Sequence, residues 1–135
     1  MIVVDVNVIA YLFIAGDKTA LAQAVFQKDP DWQAPRLWQH EFLNILATYV
    51  RAGGGRYADA YGIWQMAVRR FEVGTHEVQM AKALQLACEH TVSAYDAQYV
   101  VLAQDFGIPL ISEDQRLQRT FPGAVLSMQS FSEVS

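Results

Sequence analysis

Disulfide bonding is the first thing this sequence excludes. Its 135 residues contain a single cysteine, Cys88, so no internal pair can staple the chain. The thiol falls on the apolar face of a helix expected to end near Glu89, which predicts a buried structural residue. Charge is also scarce: Asp, Glu, Lys and Arg make up 18%, below the usual ~25%, and acids outnumber bases for a net charge of −4. That balance excludes broad electrostatic capture of nucleic acid, which draws on a basic surface. It leaves room for local basic patches and for phosphates bridged by metal ions. No apolar run approaches the ~20 residues needed to span a bilayer, and Met1 is followed directly by an apolar stretch without a basic leader. The expectation is a cytoplasmic protein with no membrane partner. Histidine is limited to His40, His76 and His90, which argues against a Ser-His-Asp triad or a zinc site. Internal repeats and low-complexity tracts are missing as well.

Apolar residues are plentiful, at 53% with 12% aromatic. A chain of this length and content makes one ordinary domain with a sizeable core, residues 1–135, and the apolar surplus is compatible with self-association. Ile2, Val3 and Val4 run without alternation, as in a central strand covered on both faces. Asp5 ends that run, and Val6, Ile9, Ala10, Phe13 and Ile14 continue at helical spacing to Ala15. Gly16 stops this helix and Asp17 can cap a second through Lys28. Trp32 to Ala34 reads as a short strand before Pro35. A strong helix follows from Leu37 to about Ala52, with Glu41 inside it.

Gly53, Gly54 and Gly55 then join that helix to another from Tyr57 to Arg70, as in a helical hairpin. They lack the adjoining strand and the Lys-Ser or Lys-Thr of a phosphate cradle. Phe71 to Val73 is a possible strand. Gly74 breaks it, and Thr75 with Val78 opens the helix that carries Cys88. Ser93 and Asp96 form a capping-box-like start to a helix through Phe106. Gly107 ends it, Ile108 to Ile111 reads as a strand, and Ser112, Glu113 and Asp114 open a short helix through Leu117. Pro122 and Gly123 lead to a last strand, Val125 to Met128, and a polar tail. Trp32, Trp38 and Trp64 are expected in the core or an interface. Strands alternating with helices predict a three-layer α/β/α fold around a parallel sheet with right-handed crossovers.

Asp5, Glu41, Asp96 and Asp114 stand at element junctions or within apolar helices. Each has a local explanation: Asp5 and Asp114 as N-caps, Asp96 as the third residue of a capping box, Glu41 as an acid favoured by its helix dipole. Together they carry a further implication. Asp5 and Asp114 both follow apolar strands and so share one edge of a parallel sheet, where α/β folds bind their ligands. Glu41 and Asp96 sit early in helices that start near that edge. Carboxylates gathered there repel one another unless a cation neutralises them, and Mg²⁺ or Mn²⁺ is the natural choice for oxygen ligands and phosphoryl chemistry.

At these residues the sequence resembles the PIN-domain ribonucleases, above all the small VapC-type toxins of toxin–antitoxin pairs. The resemblance spans the chain and is carried by Val-Val-Asp-Val-Asn-Val-Ile at Val3 to Ile9, His-Glu-Phe-Leu-Asn at His40 to Asn44, Tyr-Asp-Ala-Gln-Tyr at Tyr95 to Tyr99 and Leu-Ile-Ser-Glu-Asp at Leu110 to Asp114. It implies a sheet of strand order 3-2-1-4-5. Asp5, Glu41, Asp96 and Asp114 match the family's acidic quartet, Asn7 a polar position after the first Asp, and Ser112 a position that supports the pocket by hydrogen bonding. Glu113 adds an acid beside Asp114, and Asp114 is the favoured ligand. The implied chemistry is RNA phosphodiester hydrolysis assisted by Mg²⁺ or Mn²⁺, held by Asp5, Asp96 and Asp114 with Glu41 binding metal or orienting water. Implied partners are RNA, a small antitoxin protein and a second copy in a homodimer. Arg51, Arg56, Arg69, Arg70, Arg116 and Arg119 are candidates to steer RNA.

Three other readings compete. Asp5-Val-Asn7 is similar to the first motif of haloacid-dehalogenase-type phosphatases, with Asp5 as nucleophile, but that family's second Asp is here Asn7 and no motif Lys is evident. His40-Glu41 begins a zinc-protease helix motif that Asn44 breaks, since the second His is missing. A PIN-like module that binds without catalysis is the third, and the presence of all four acids counts against it.

Overall fold

The computed structural model describes residues 1–133. Five short strands form one parallel sheet: β1 (Ile2–Val4), β2 (Trp32–Pro35), β3 (Thr75–His76), β4 (Leu110–Ile111) and β5 (Val125–Leu126). Their order across the sheet is β3-β2-β1-β4-β5, as the resemblance implied. β1 is central because its three apolar side chains exclude water on both faces, which only an inner strand allows. Its register is Ile2 to Trp32 on one side and Val4 to Ile111 on the other.

The helices are α1 (Val6–Phe13), α2 (Thr19–Lys28), α3 (Leu37–Arg51), α4 (Tyr57–Arg70), α5 (Met80–Glu89), α6 (Ala94–Phe106), α7 (Gln115–Thr120) and α8 (Met128–Glu133). α6 packs on β1, β2 and β4 and carries α5 on it, while α1 packs on α2, α3 and α4. α6 is apolar nearly all round, with Ala97 and Tyr99 to Ala103 buried, as a helix between a sheet and another helix must be. α3 and α4 form the expected hairpin, and Gly53 takes the left-handed φ of 84° that turns the chain between them.

Several boundaries differ from expectation. The strand expected at Phe71 to Val73 lies instead at Thr75–His76, where a helix start was expected. Phe71 ends α4 with its ring stacked on Trp32 at an interplanar angle of 2° and edge-on to Trp38. Gly74 then passes so close to β2 that a Cβ there would stand 2.1 Å from the Trp32 carbonyl oxygen. The chain can pair with β2 only beyond that contact, at Ala34 to Thr75, and α5 begins at Met80.

α1 ends at Phe13 rather than Ala15, and Lys18 rather than Asp17 precedes α2. β4 lacks Ile108 and Pro109, because proline offers no amide to a ladder. α7 extends past Leu117 to Thr120, and Met128 opens a helix instead of closing a strand. The tail expected to be merely polar forms α8, started by Met128 N–H donating to Glu113 Oε1 at 2.8 Å; residues 134 and 135 of that tail lie outside the described residues. Cys88 is exposed, not buried, because α5 turns Ala83 and Leu86 inward instead. Trp32 and Trp38 are core residues, and Trp64 stacks on Phe42.

Candidate active site

Asp5 stands where β1 becomes α1. Its N–H donates to the Ile111 carbonyl at 3.2 Å and its Oδ1 accepts the Val8 N–H at 3.1 Å, so the residue is the N-cap of α1. Capping uses one carboxylate oxygen and leaves the other for chemistry. The β1–β4 register carries Asp5 opposite Ser112, which is 0% exposed. The Ser112 hydroxyl hydrogen-bonds the Asp5 carboxylate and accepts the Asp114 N–H at 3.1 Å. One buried hydroxyl thus links the two acids that follow the strands.

Asp114 is itself a cap: its Oδ1 accepts the Arg116 N–H at 2.9 Å and the Leu117 N–H at 3.2 Å. Asp96 is the third residue of α6, with its N–H held by Ser93 Oγ at 3.0 Å. Glu41 lies in the second turn of α3, and its Oε1 accepts the Tyr99 hydroxyl at 2.6 Å.

Electrostatics ties these residues into one cluster. Burial pushes the Asp5 carboxyl up from 3.8 to about 6, against the pull of Ser112 and the Val8 N–H, and the negative charges of Asp96 and Glu41 push the same way. Glu41 is raised by burial and then by Asp96, with the Tyr99 hydroxyl opposing. Asp96 is raised by burial and then by Asp114, with Ser93 opposing. Asp96 therefore pushes on Asp5 and Glu41 and is itself pushed by Asp114. Burial first, and then Glu41, Asp5 and Asp96, hold the Tyr99 phenol far above its ordinary value, so Tyr99 acts as a neutral donor.

No Lys or Arg forms an ion pair with any of the four acids among the described residues. The donor set is purely carboxylate oxygen, which suits a hard divalent cation and not zinc or copper. Among the described residues no three His, Cys, Asp or Glu side chains stand together as a finished metal cage.

Asn7 is exposed in the first turn of α1 and lines a neighbouring groove with Tyr11, Lys18 and Tyr49 rather than the cleft of Asp96 and Asp114. Glu113 turns away: its two oxygens take the Met128 N–H and, at 3.3 Å, the Lys18 ammonium. His40 lines a separate pocket with His76 and Glu77. Of the six candidate arginines, Arg116 and Arg119 line the cleft with Asp96 and Asp114. Arg51 lines the α3–α4 groove, Arg56 pairs with Asp59, and Arg70 bonds the Pro30 carbonyl. The sequence alone assigns Tyr99 no role. The signal that could have found it is its spacing of three from Asp96, which puts both on one face of α6.

The family model described as PIN domain matches residues 2–121. This chain belongs to the PIN-domain family. Ribonuclease VapC3 from Pyrobaculum aerophilum is 28% identical over 128 residues, spanning 92% of this chain and 97% of that protein. Among solved structures, PAE2754 from Pyrobaculum aerophilum superposes with a TM-score of 0.77 at 21% identity, covering 97% of this chain and 92% of the other. A toxin–antitoxin complex from Klebsiella pneumoniae contains a chain with a TM-score of 0.68 at 17% identity, covering 95% and 98%. Both likenesses are of fold. As a PIN domain, the chain is not a haloacid-dehalogenase-type phosphatase. No helix among its described residues is long and apolar enough to cross a membrane.

Proposed function

We propose that this PIN domain, taken as one domain over residues 1–135, is a Mg²⁺- or Mn²⁺-dependent endoribonuclease and the toxin of a toxin–antitoxin pair. The observation that carries the reading is that Asp96 and Asp114 line one cleft beside Asp5 and Glu41, with no Lys or Arg paired to any of the four acids among the described residues. Likeness to a protein named Ribonuclease VapC3 supports RNA as substrate, and likeness to a chain from a toxin–antitoxin complex supports an antitoxin partner. Exposed Leu43, Tyr57, Tyr61 and Met66 supply apolar surface for protein partners, a second copy in a homodimer included. We place the protein in the cytoplasm on its likeness to Ribonuclease VapC3.

Asp5, Asp96 and Asp114 would hold the ion, and Glu41 would bind it or orient the attacking water. A bound divalent ion supplies neutralisation of phosphoryl charge and a more acidic water. The remaining work belongs to the chain. Burial and mutual repulsion keep Asp5, Glu41 and Asp96 proton-hungry until a cation arrives. Ser112 fixes Asp5 relative to Asp114 and Tyr99 fixes Glu41, while Asn7 lines the neighbouring groove. No side-chain nucleophile is needed.

The test combines a melt with a cleavage assay. Mn²⁺ raises the melting temperature of wild type, since a ligand of the native state stabilises it, and does so far less in Asp5→Asn. Metal-dependent RNA cleavage is lost in Asp96→Asn. Full activity in that variant would overturn the site, and Mn²⁺ binding without RNA cleavage would leave a metal-binding module instead of an enzyme.

A further inference from the structure

The acidic cleft has one basic wall. Asp96, Asp114, Arg116 and Arg119 line the same open cleft of about 570 Å³, and both arginines are exposed. They lie three apart on α7 and so project from neighbouring positions on one face of the helix. Leu117, 3% exposed, anchors α7 from below, Asp114 caps its N-terminus, and Gln118 Nε2 donates to the Ser112 carbonyl at 2.8 Å. The residues that fix Asp114 therefore also fix the helix that carries both arginines.

Lys18, Arg36, Arg56 and Lys82 each pair with a carboxylate. Arg116 and Arg119 form no ion pair among the described residues, although two carboxylates share their cleft. Arg51, Arg69 and Arg70 also form no ion pair among the described residues, but none of them lines a cleft with two carboxylates. Two unneutralised cations beside unneutralised acids give the cleft an internal polarity, attracting a cation at one side and an anion at the other. Guanidinium groups suit phosphate oxygens in particular, because their planar fork donates two bonds at once.

We propose that Arg116 and Arg119 form a phosphate-binding subsite that holds the RNA backbone beside the phosphodiester at the acidic centre. The inference rests on the ribonuclease reading and adds where the substrate is held. A single strand is the matching form: two arginines serve one backbone, while a net charge of −4 leaves no wide basic surface for a duplex.

Binding of a short fluorescein-labelled single-stranded RNA, followed by anisotropy across a salt series, tests the subsite. Replacing Arg116 and Arg119 together by Gln weakens binding and lowers the log–log salt slope by about 0.7 for each phosphate that is no longer neutralised. Lysine at both positions restores the slope but not the full affinity, and a melt of each variant reports folding separately. An unchanged slope in the Gln variant overturns the subsite, as does failure of wild type to bind this RNA. Loss of binding to a polyglutamate peptide with RNA binding intact also overturns it and assigns the wall to a protein partner. RNA cleavage by wild type is measured in parallel. Cleavage with an unchanged slope sinks the subsite alone, and arginine-dependent binding without cleavage sinks the ribonuclease reading alone.

Discussion

The hydroxyl of Tyr99 donates to Glu41 Oε1 at 2.6 Å, joining α6 to α3 inside the acidic cluster. Tyr99 is 2% exposed, so its ring is held by packing and its oxygen by the carboxylate. Tyr99→Phe keeps the ring and removes that tether. We expect kcat to fall while KM for RNA stays close to wild type, with a stability loss of about 1–2 kcal/mol in urea unfolding. Unchanged kcat would mean that Glu41 needs no fixed orientation.

Asp5 makes the metal-free protein sensitive to pH. Its folded-state value of about 6 lies above the ordinary 3.8, so the native state binds this proton more tightly than the unfolded chain does. Stability is then greatest below about pH 4 and falls as pH rises through 6, by roughly 3 kcal/mol for this group. Glu41 and Asp96 are raised too and add to the same trend. Asp5→Asn flattens the profile and is more stable than wild type at pH 7 without metal. Denaturant midpoints between pH 4 and pH 8 check this, and a wild-type profile that rises with pH contradicts it.

Ser112→Ala removes the hydroxyl that contacts both Asp5 and Asp114. The Asp5 carboxylate and the part-buried Asp114 N–H lose a partner, at a cost of about 1 kcal/mol, and Asp5 becomes still harder to ionise. Mn²⁺ affinity, read by calorimetric titration, should weaken at neutral pH. Equal affinity in the variant and wild type would show that Ser112 serves only the fold.

Gly74→Ala tests the placement of β3. The new methyl group would collide with the Trp32 carbonyl, whereas Gly16 has nothing within 4 Å of the same position. We expect Gly74→Ala to cost about 2 kcal/mol or more and Gly16→Ala to be nearly neutral, both measured by thermal unfolding. Equal melting temperatures would contradict the close approach of β2 and Gly74.

The legible parts of the fold are those set by local pattern. Ile2 to Val4 can only be an inner strand, and the periodic runs beginning at Leu37, Tyr57 and Ala94 are helices. Local pattern misplaces β3 because Phe71 to Val73 has the better strand composition, and only the tertiary contact of Gly74 with Trp32 moves the pairing to Thr75. It places Cys88 inside because α5 has apolar residues on more than one face, and the buried side is chosen by the partner helix. Within the site, the four acids are readable as chain positions. Their sharing of labour is not: Asp5 faces Ser112 across the sheet, and Asp96 pushes on Asp5 and Glu41. Register and helix packing set both relationships, and neither leaves a local trace.

The pairing of β1 with β4 also determines when the site comes into being. Asp5 is made early and Ile111, the residue whose carbonyl holds its amide, very late. A contact of such sequence separation forms slowly and only after most of the chain is available. During synthesis, therefore, Asp5 and Glu41 leave the ribosome before β4 exists to seat the first acid and before Asp114 has been added. Until β4 pairs with β1, nothing seats Asp5 beside Ser112, so the proposed site is incomplete until synthesis has passed Asp114.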